Sequence, residues 1–312
     1  MKRSLWPLMA ACVAHAGCWT VGPAATHAPI QRRAVDPRLA AASSGRVAIV
    51  TGGSGGIGLA CCHRLAARGD NVVIAYGHND ELAASACEEL QSAHGVEVRA
   101  VKGDLTTEEG RPAVVEGIFR EVDDMGCNVS SFVHAAGYFH DQLLQHHFAG
   151  ALDTFEVYDA YQSIYPKAFA AIAEGALKRM SRGGRMVAIT NPGCNLLQTP
   201  RVGYDMPGQG KATMEYIVRM YAIRTAKLGI CVNAVSPAYT LTAEWDKARL
   251  AMGQGDLEKG RELLDAKMLS RSPIQRWAQP DEIAQAVDFL CAEQSGLITG
   301  ATIPVDGGLH LI

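Results

Sequence analysis

At 312 residues the chain is long enough for one large domain or two ordinary ones with a sizeable core. A formal net charge of −3, with 20% charged and 48% hydrophobic residues, excludes a whole-chain field that attracts nucleic acid and points to a small or amphipathic ligand. Nine cysteines without a C-x-x-C pair indicate neither a disulfide framework nor a structural zinc site, so a reducing compartment is expected for the folded part.

Residues 1–45 differ in kind from the rest. Met1-Lys2-Arg3 precedes an apolar stretch over 5–21 that Pro7 and His15 interrupt, too short and broken for a membrane span. Residues 22–44 turn to Ala, Pro, Thr and Ser with Arg32, Arg33 and Arg38 and the single acid Asp36. Such basic, acid-poor chemistry reads as a targeting leader that does not fold, and leaves no stable membrane span after its removal. The two stretches in series resemble the bipartite leader that carries proteins through the secretory system into a secondary plastid. A plain mitochondrial or secretory leader and a merely disordered tail are the alternatives, the last leaving the protein in the cytoplasm.

From residue 46 strands and helices alternate. A strand over 46–50 runs into Thr51-Gly52-Gly53-Ser54-Gly55-Gly56-Ile57-Gly58, and a helix follows over 59–68. Then come a strand over 71–76, a helix over 81–93, a strand over 96–101, a helix over 108–122 and a strand over 131–135. A helical zone over 152–180, interrupted near Pro166, precedes a strand over 185–190, a helix over 210–227 and a strand over 230–235. A helix over 281–292 and a strand over 301–305 close the series. Seven strands separated by helices predict an α/β fold: one Rossmann-type doubly wound domain over 46–312, with a parallel sheet and helices on both faces.

A strand that turns straight into a helix through glycines brings backbone N–H groups and the positive helix end up to a phosphate. Gly52, Gly56 and Gly58 supply that, with Ser54 and Ile57 in the same loop.

The T-G-x-x-x-G-x-G spacing from Thr51 to Gly58 resembles the short-chain dehydrogenase/reductase superfamily. Further pieces match in order up to Gly308: Asp104-Leu105; His134-Ala135-Ala136-Gly137, where the family has Asn-Asn-Ala-Gly; Val232 to Pro237; Ile298-Thr299-Gly300; and Val305-Asp306-Gly307-Gly308. The resemblance implies a nicotinamide dinucleotide as cofactor and a homodimer or homotetramer. It places Asp104 and Leu105 at the adenine, Ala135, Ala136 and Gly137 along the cofactor, and Pro237 and Thr242 near the nicotinamide and its phosphate. At the end of the second strand a carboxylate would accept from the ribose hydroxyls and repel a 2′-phosphate. Tyr76 stands there, followed by Gly77, His78 and Asn79, so NADP(H) is expected, although Gly55 replaces the loop arginine of many NADP enzymes.

By the same resemblance, a tyrosine gives a proton to the substrate oxygen and a lysine lowers its pKa and bonds the ribose. Lys211 opens Lys211-Ala212-Thr213-Met214-Glu215, but the position four before it is Pro207, so the tyrosine is Tyr204 at Y-x6-K spacing, with Pro207 and Gly208 expected to break the helix between them. This spacing resembles the enoyl-acyl-carrier-protein reductases. Asn191 occupies the position of the serine that orients a carbonyl, Thr190 serves only if the register slips by one, and Cys194 stands where enoyl reductases place an additional tyrosine. Ser163 or its neighbours replace a relay asparagine. Residues 243–275 form a long connection of the kind that closes over substrate.

Among weaker candidates, His140, His146 and His147 read as loop histidines rather than metal ligands, and Tyr158, Tyr161 and Tyr165 as packing. The leading expectation is NADPH-dependent reduction of the C=C bond of an enoyl thioester, free or on acyl-carrier protein. The alternatives are reduction of a ketone or 3-oxoacyl group by the same residues, and a catalytically inactive scaffold that keeps the fold.

Overall fold

The computed structural model describes residues 45–138, 155–195, 198–200 and 204–312. The expected leader, apart from Gly45, and His140, His146 and His147 lie outside the described residues. The elements are β1 (Arg46–Thr51), α1 (Gly56–Ala66), β2 (Asn71–Tyr76), α2 (Asp80–His94), β3 (Val98–Lys102), α3 (Gly110–Asp124) and β4 (Asn128–His134). There follow α4 (Glu156–Gln162), a π turn (Ser163–Lys167), α5 (Ala168–Leu177), β5 (Arg185–Ile189), α6 (Asp205–Thr225) and β6 (Cys231–Pro237). The last are α7 (Glu244–Met252), α8 (Leu257–Leu269), α9 (Pro280–Cys291) and β7 (Thr302–Val305). The strands form one sheet in the order β3-β2-β1-β4-β5-β6-β7, and every pairing is parallel.

The strands are nearly continuous apolar runs because both faces of the sheet are covered. In β1 the alternation of side chains sends Val47 and Ile49 into a cluster with Ile118 of α3, Phe169 of α5 and Met214 of α6. Ala48 and Val50 enter a second cluster with Leu65 of α1, Leu90 of α2 and Val287 of α9. The strand order reverses direction between β1 and β4, which puts a crevice at the carboxyl ends of those strands, the usual ligand position in such sheets.

One local feature departs from the sequence reading, and the interruption expected near Pro166 is present. The active-site helix α6 begins at Asp205, so Pro207 and Gly208 do not break it. Pro207 lies in the first turn, where a missing N–H costs no intrahelical bond. The interruption at Pro166 is a π turn, in which Ala168 N–H bonds Ser163 O and leaves the Ile164 carbonyl for another donor. No described helix is long and apolar enough to cross a membrane.

Candidate active site

The glycine loop after β1 is built by close approach. Gly52 has φ +68°, and a Cβ there would stand 2.8 Å from Ala135 O; a Cβ on Gly58 would stand 2.1 Å from Gly52 O. Only glycine lets the start of α1 fold back on the strand end in this way. Gly55 caps α1 without a side-chain bond, and the first turn holds no acidic residue, so its N–H groups are left for an anion. Across from the loop, Thr242 Cγ2 stands 3.1 Å from where a Cβ on Gly56 would be. Ser54 is half-buried and Ile57 packs on the second core cluster. The loop, the bare helix end and Thr242 fit the diphosphate of a dinucleotide.

His134, at the end of β4, holds this edge together. Its Nε2 donates to Ile164 O at 2.9 Å, since a carbonyl only accepts, so its Nδ1 accepts from the Thr51 hydroxyl at 2.8 Å. Thr51 Oγ1 in turn accepts from Ala136 N–H at 3.2 Å. One side chain therefore joins the glycine-loop strand, the Ala135-Ala136-Gly137 segment and the π turn. Burial pushes His134 down to about 4, so the ring is neutral. Ser163 is tied differently: its hydroxyl donates to Leu105 O at 2.9 Å and accepts from Arg111 at 2.6 Å.

At the ends of β2 and β3 the register sets Tyr76 beside Lys102. Tyr76 donates to Asp80 Oδ1 at 2.9 Å and Lys102 to Asp80 Oδ2 at 2.7 Å. Asn79 caps α2, its Oδ1 accepting from Leu82 N–H, which commits the oxygen of an amide expected to serve a phosphate. His78 is exposed. Asp104 accepts from the backbone and hydroxyl of Thr106 through Oδ1, and Leu105 is buried in the first core cluster.

Lys211 reaches the end of β5 just before Asn191, from the helix that Tyr204 opens. Tyr204 is the N-cap of α6 and Lys211 stands seven residues on, two turns along one face of a continuous helix. The Tyr204 ring lies on Gly208, 3.3 Å from the position of a Cβ there. Tyr204, Asp205, Gly208 and Gln209 line an open cavity of about 390 Å³ together with Pro192, Gly193 and Pro200. Lys211 is buried and donates to Ile189 O at 3.0 Å and Thr190 O at 3.4 Å, with its ammonium 4.6 Å from the centre of the Tyr165 ring. Burial lowers it to about 8, against the pull of Cys194 and Glu215.

Thr190 continues the ladder, its N–H bonding Val235 O at 2.9 Å, and its hydroxyl donates to the buried Glu215 at 2.5 Å. Thr302 completes that carboxylate at 3.0 Å. The Thr190 proton is thereby committed, which leaves Asn191, one residue beyond, as the amide next to the cavity-lining Pro192 and Gly193. Cys194 is buried against Thr190 and the Asn191 N–H, and burial pushes its thiol up to about 11.

Tyr161 and Tyr165 stack at 5.9 Å within the core, as the packing reading expected, while Tyr158 packs at its edge. Pro237 pairs with Val305 in the sheet. Residues 243–275 carry α7 and α8. Among the described residues no cluster of metal-ligating side chains is found, and the seven described cysteines are free. The sequence reading missed Thr51 as the partner of His134, Glu215 as the anchor of Thr190, and Lys102. The first two sit inside matched motifs, whereas Lys102 becomes a neighbour of Tyr76 only through strand register.

A sequence model described as enoyl-(acyl carrier protein) reductase matches residues 52–310. The chain is 29% identical to acetoacetyl-CoA reductase of Allochromatium vinosum, over 85% of this chain and 99% of that protein. It is 31% identical to 1-cyclohexenylcarbonyl-CoA reductase of Streptomyces collinus, over 92% of each. The crystal structure of L-sorbose reductase from Gluconobacter frateurii with NADPH and L-sorbose superimposes with a TM-score of 0.74 at 27% identity, covering 86% of this chain and 97% of that one.

Proposed function

The chain belongs to the short-chain dehydrogenase/reductase superfamily, and from that premise we propose that it is an NADPH-dependent reductase of the carbonyl group of a 3-oxoacyl thioester or related ketone. The observation that carries this reading is Tyr204 on the wall of an open cavity at the start of α6, with Lys211 two turns on in the same helix and bonded to the Ile189 and Thr190 carbonyls just before Asn191. The acetoacetyl-CoA reductase and L-sorbose reductase names support the carbonyl reading over the enoyl one expected from the Y-x6-K spacing. NADPH bound to the L-sorbose reductase supports the cofactor assignment, as does Tyr76 in place of a carboxylate.

When bound, the dinucleotide supplies the hydride. In this chain, Tyr204 donates its hydroxyl proton to the substrate oxygen. Lys211, held in place by the Ile189 and Thr190 carbonyls, keeps a positive charge behind it and takes the ribose hydroxyls. Asn191 donates from its amide to the carbonyl oxygen in place of a serine. Gly52, Gly56, Gly58 and Thr242 hold the diphosphate.

The enoyl reading remains the second one, supported by the spacing and by the relative whose name describes a conjugated C=C thioester substrate. Purified protein with NADPH is assayed by loss of nicotinamide absorbance against matched 3-oxoacyl and 2-enoyl thioesters. Faster oxo turnover is expected; faster enoyl turnover makes the second reading correct. No turnover with intact NADPH binding points to the scaffold.

A charged Lys211 is needed in this scheme, and burial places its pKa at about 8. The pH profile of kcat/KM is therefore expected to fall above about 8 as the ammonium deprotonates. In Lys211→Arg the limb moves above pH 10, whatever the loss in overall rate. An unchanged limb assigns it to another group.

Residues 1–45 are proposed as an organellar targeting leader, and the assembly as a homodimer or homotetramer.

A further inference from the structure

Both oxygens of the Asp80 carboxylate are held by donors from the ends of two neighbouring strands: the Tyr76 phenol at 2.9 Å and the Lys102 ammonium at 2.7 Å. Asp80 is the first residue of α2, reached from Tyr76 through Gly77, His78 and Asn79. The group is open to solvent, with the Lys102 and Asp80 side chains 51% and 63% exposed, and a Cβ on Gly77 would meet nothing within 4 Å. A phenol and an ammonium aimed at one carboxylate make an anion site, and here the chain's own side chain fills it. The site lies at the carboxyl end of β2, where the adenine ribose sits in this kind of sheet.

We propose that Asp80 is a built-in competitor for the 2′-phosphate of the cofactor: Lys102 and Tyr76 form the phosphate site, and the phosphate enters by displacing the Asp80 carboxylate. This rests on the NADP(H) assignment above. A ribose phosphate carries about −1.5 to −2 charges at neutral pH and three acceptor oxygens, against one charge and two oxygens for the carboxylate, so it is the stronger ligand for Lys102. The displaced Asp80 is already at the surface and moves into water with little loss. A 2′-hydroxyl has no charge with which to compete, and the Asp80–Lys102 pair stays closed over NADH. Lys102 therefore raises the preference for the phosphorylated cofactor and Asp80 lowers it.

The full chain is titrated calorimetrically with 2′,5′-ADP, which carries the phosphate, with 5′-AMP, which lacks it, and with NADPH and NADH. Asp80→Asn is expected to tighten 2′,5′-ADP about tenfold, and Lys102→Gln to weaken it about tenfold, with 5′-AMP moving less than about twofold in both. The ratio between the two nucleotides is the readout that a general loss of folding would not shift in opposite directions. The proposal is overturned if Asp80→Asn leaves 2′,5′-ADP binding unchanged or weakens it, or if Lys102→Gln weakens both nucleotides alike. A wild-type chain that prefers NADH, with Asp80→Asn shifting it toward NADPH, overturns the cofactor assignment and supports the competitor. Absence of binding by all four probes overturns both.

Discussion

Tyr204→Phe is expected to lower kcat about 10²–10⁴-fold while NADPH affinity stays similar. The substitution deletes one hydroxyl. The ring keeps its seat on Gly208 at the start of α6, so the helix cap and the wall of the cavity persist. Lys211→Ala behaves differently, because the ammonium is proposed to bond the ribose and to sit behind the tyrosine: both affinity and turnover fall. The contrast separates proton donation from cofactor holding. Tyr165, the other phenol near the lysine, is a poor substitute acid, since burial first and then Tyr161 push it far above the usual range. A Tyr204→Phe enzyme within about threefold of wild type removes Tyr204 as the acid.

The frame of the molecule was legible because each signal was local. β2 over 71–76 is bounded as the β-branched run predicts, and the glycine loop follows β1 as its spacing requires. The start of α6 was misread because Pro207 and Gly208 are breakers inside a helix but harmless in a first turn, and sequence alone does not say which turn they occupy. The site was legible only in part for a different reason. Tyr204, Lys211 and Asn191 belong to recognisable spacings, whereas the Tyr76–Lys102 pairing comes from the register of two parallel strands joined through a whole helix. The Thr190–Glu215–Thr302 bonds likewise join the residue just after β5 to α6 and β7, and no spacing along the chain encodes such a contact.

His134 shows most directly how this chain differs from the pattern it resembles, and it sets an expected acid sensitivity. The family's amide at this place is uncharged at every pH, but an imidazole can take a second proton. Here it cannot do so cheaply: it is fully buried, its Nδ1 accepts from Thr51 and its Nε2–H already serves the carbonyl that the π turn frees. Its folded pKa of about 4 lies below the ordinary value of 6.5, so between those values the unfolded chain binds a proton that the folded chain refuses. Stability then rises with pH across that window, and it falls on acidification from pH 6.5 to 4 by about 3 kcal/mol from this group alone. Glu108 and Glu282 act elsewhere on the scale. Arg111 with Lys167 holds the first at about 2 and Arg276 with the Gln279 N–H the second, so their contributions fade below the ordinary carboxylate range. Urea unfolding at pH 7, 5.5 and 4.5 is the measurement. Wild type should lose stability progressively, by about 1 kcal/mol from pH 7 to 5.5 and about as much again from 5.5 to 4.5, and His134→Asn, which keeps a donor for Ile164 O without a titrating ring, should be less stable at pH 7 and nearly flat across the same range. Parallel curves for the two proteins would place the acid-sensitive group elsewhere.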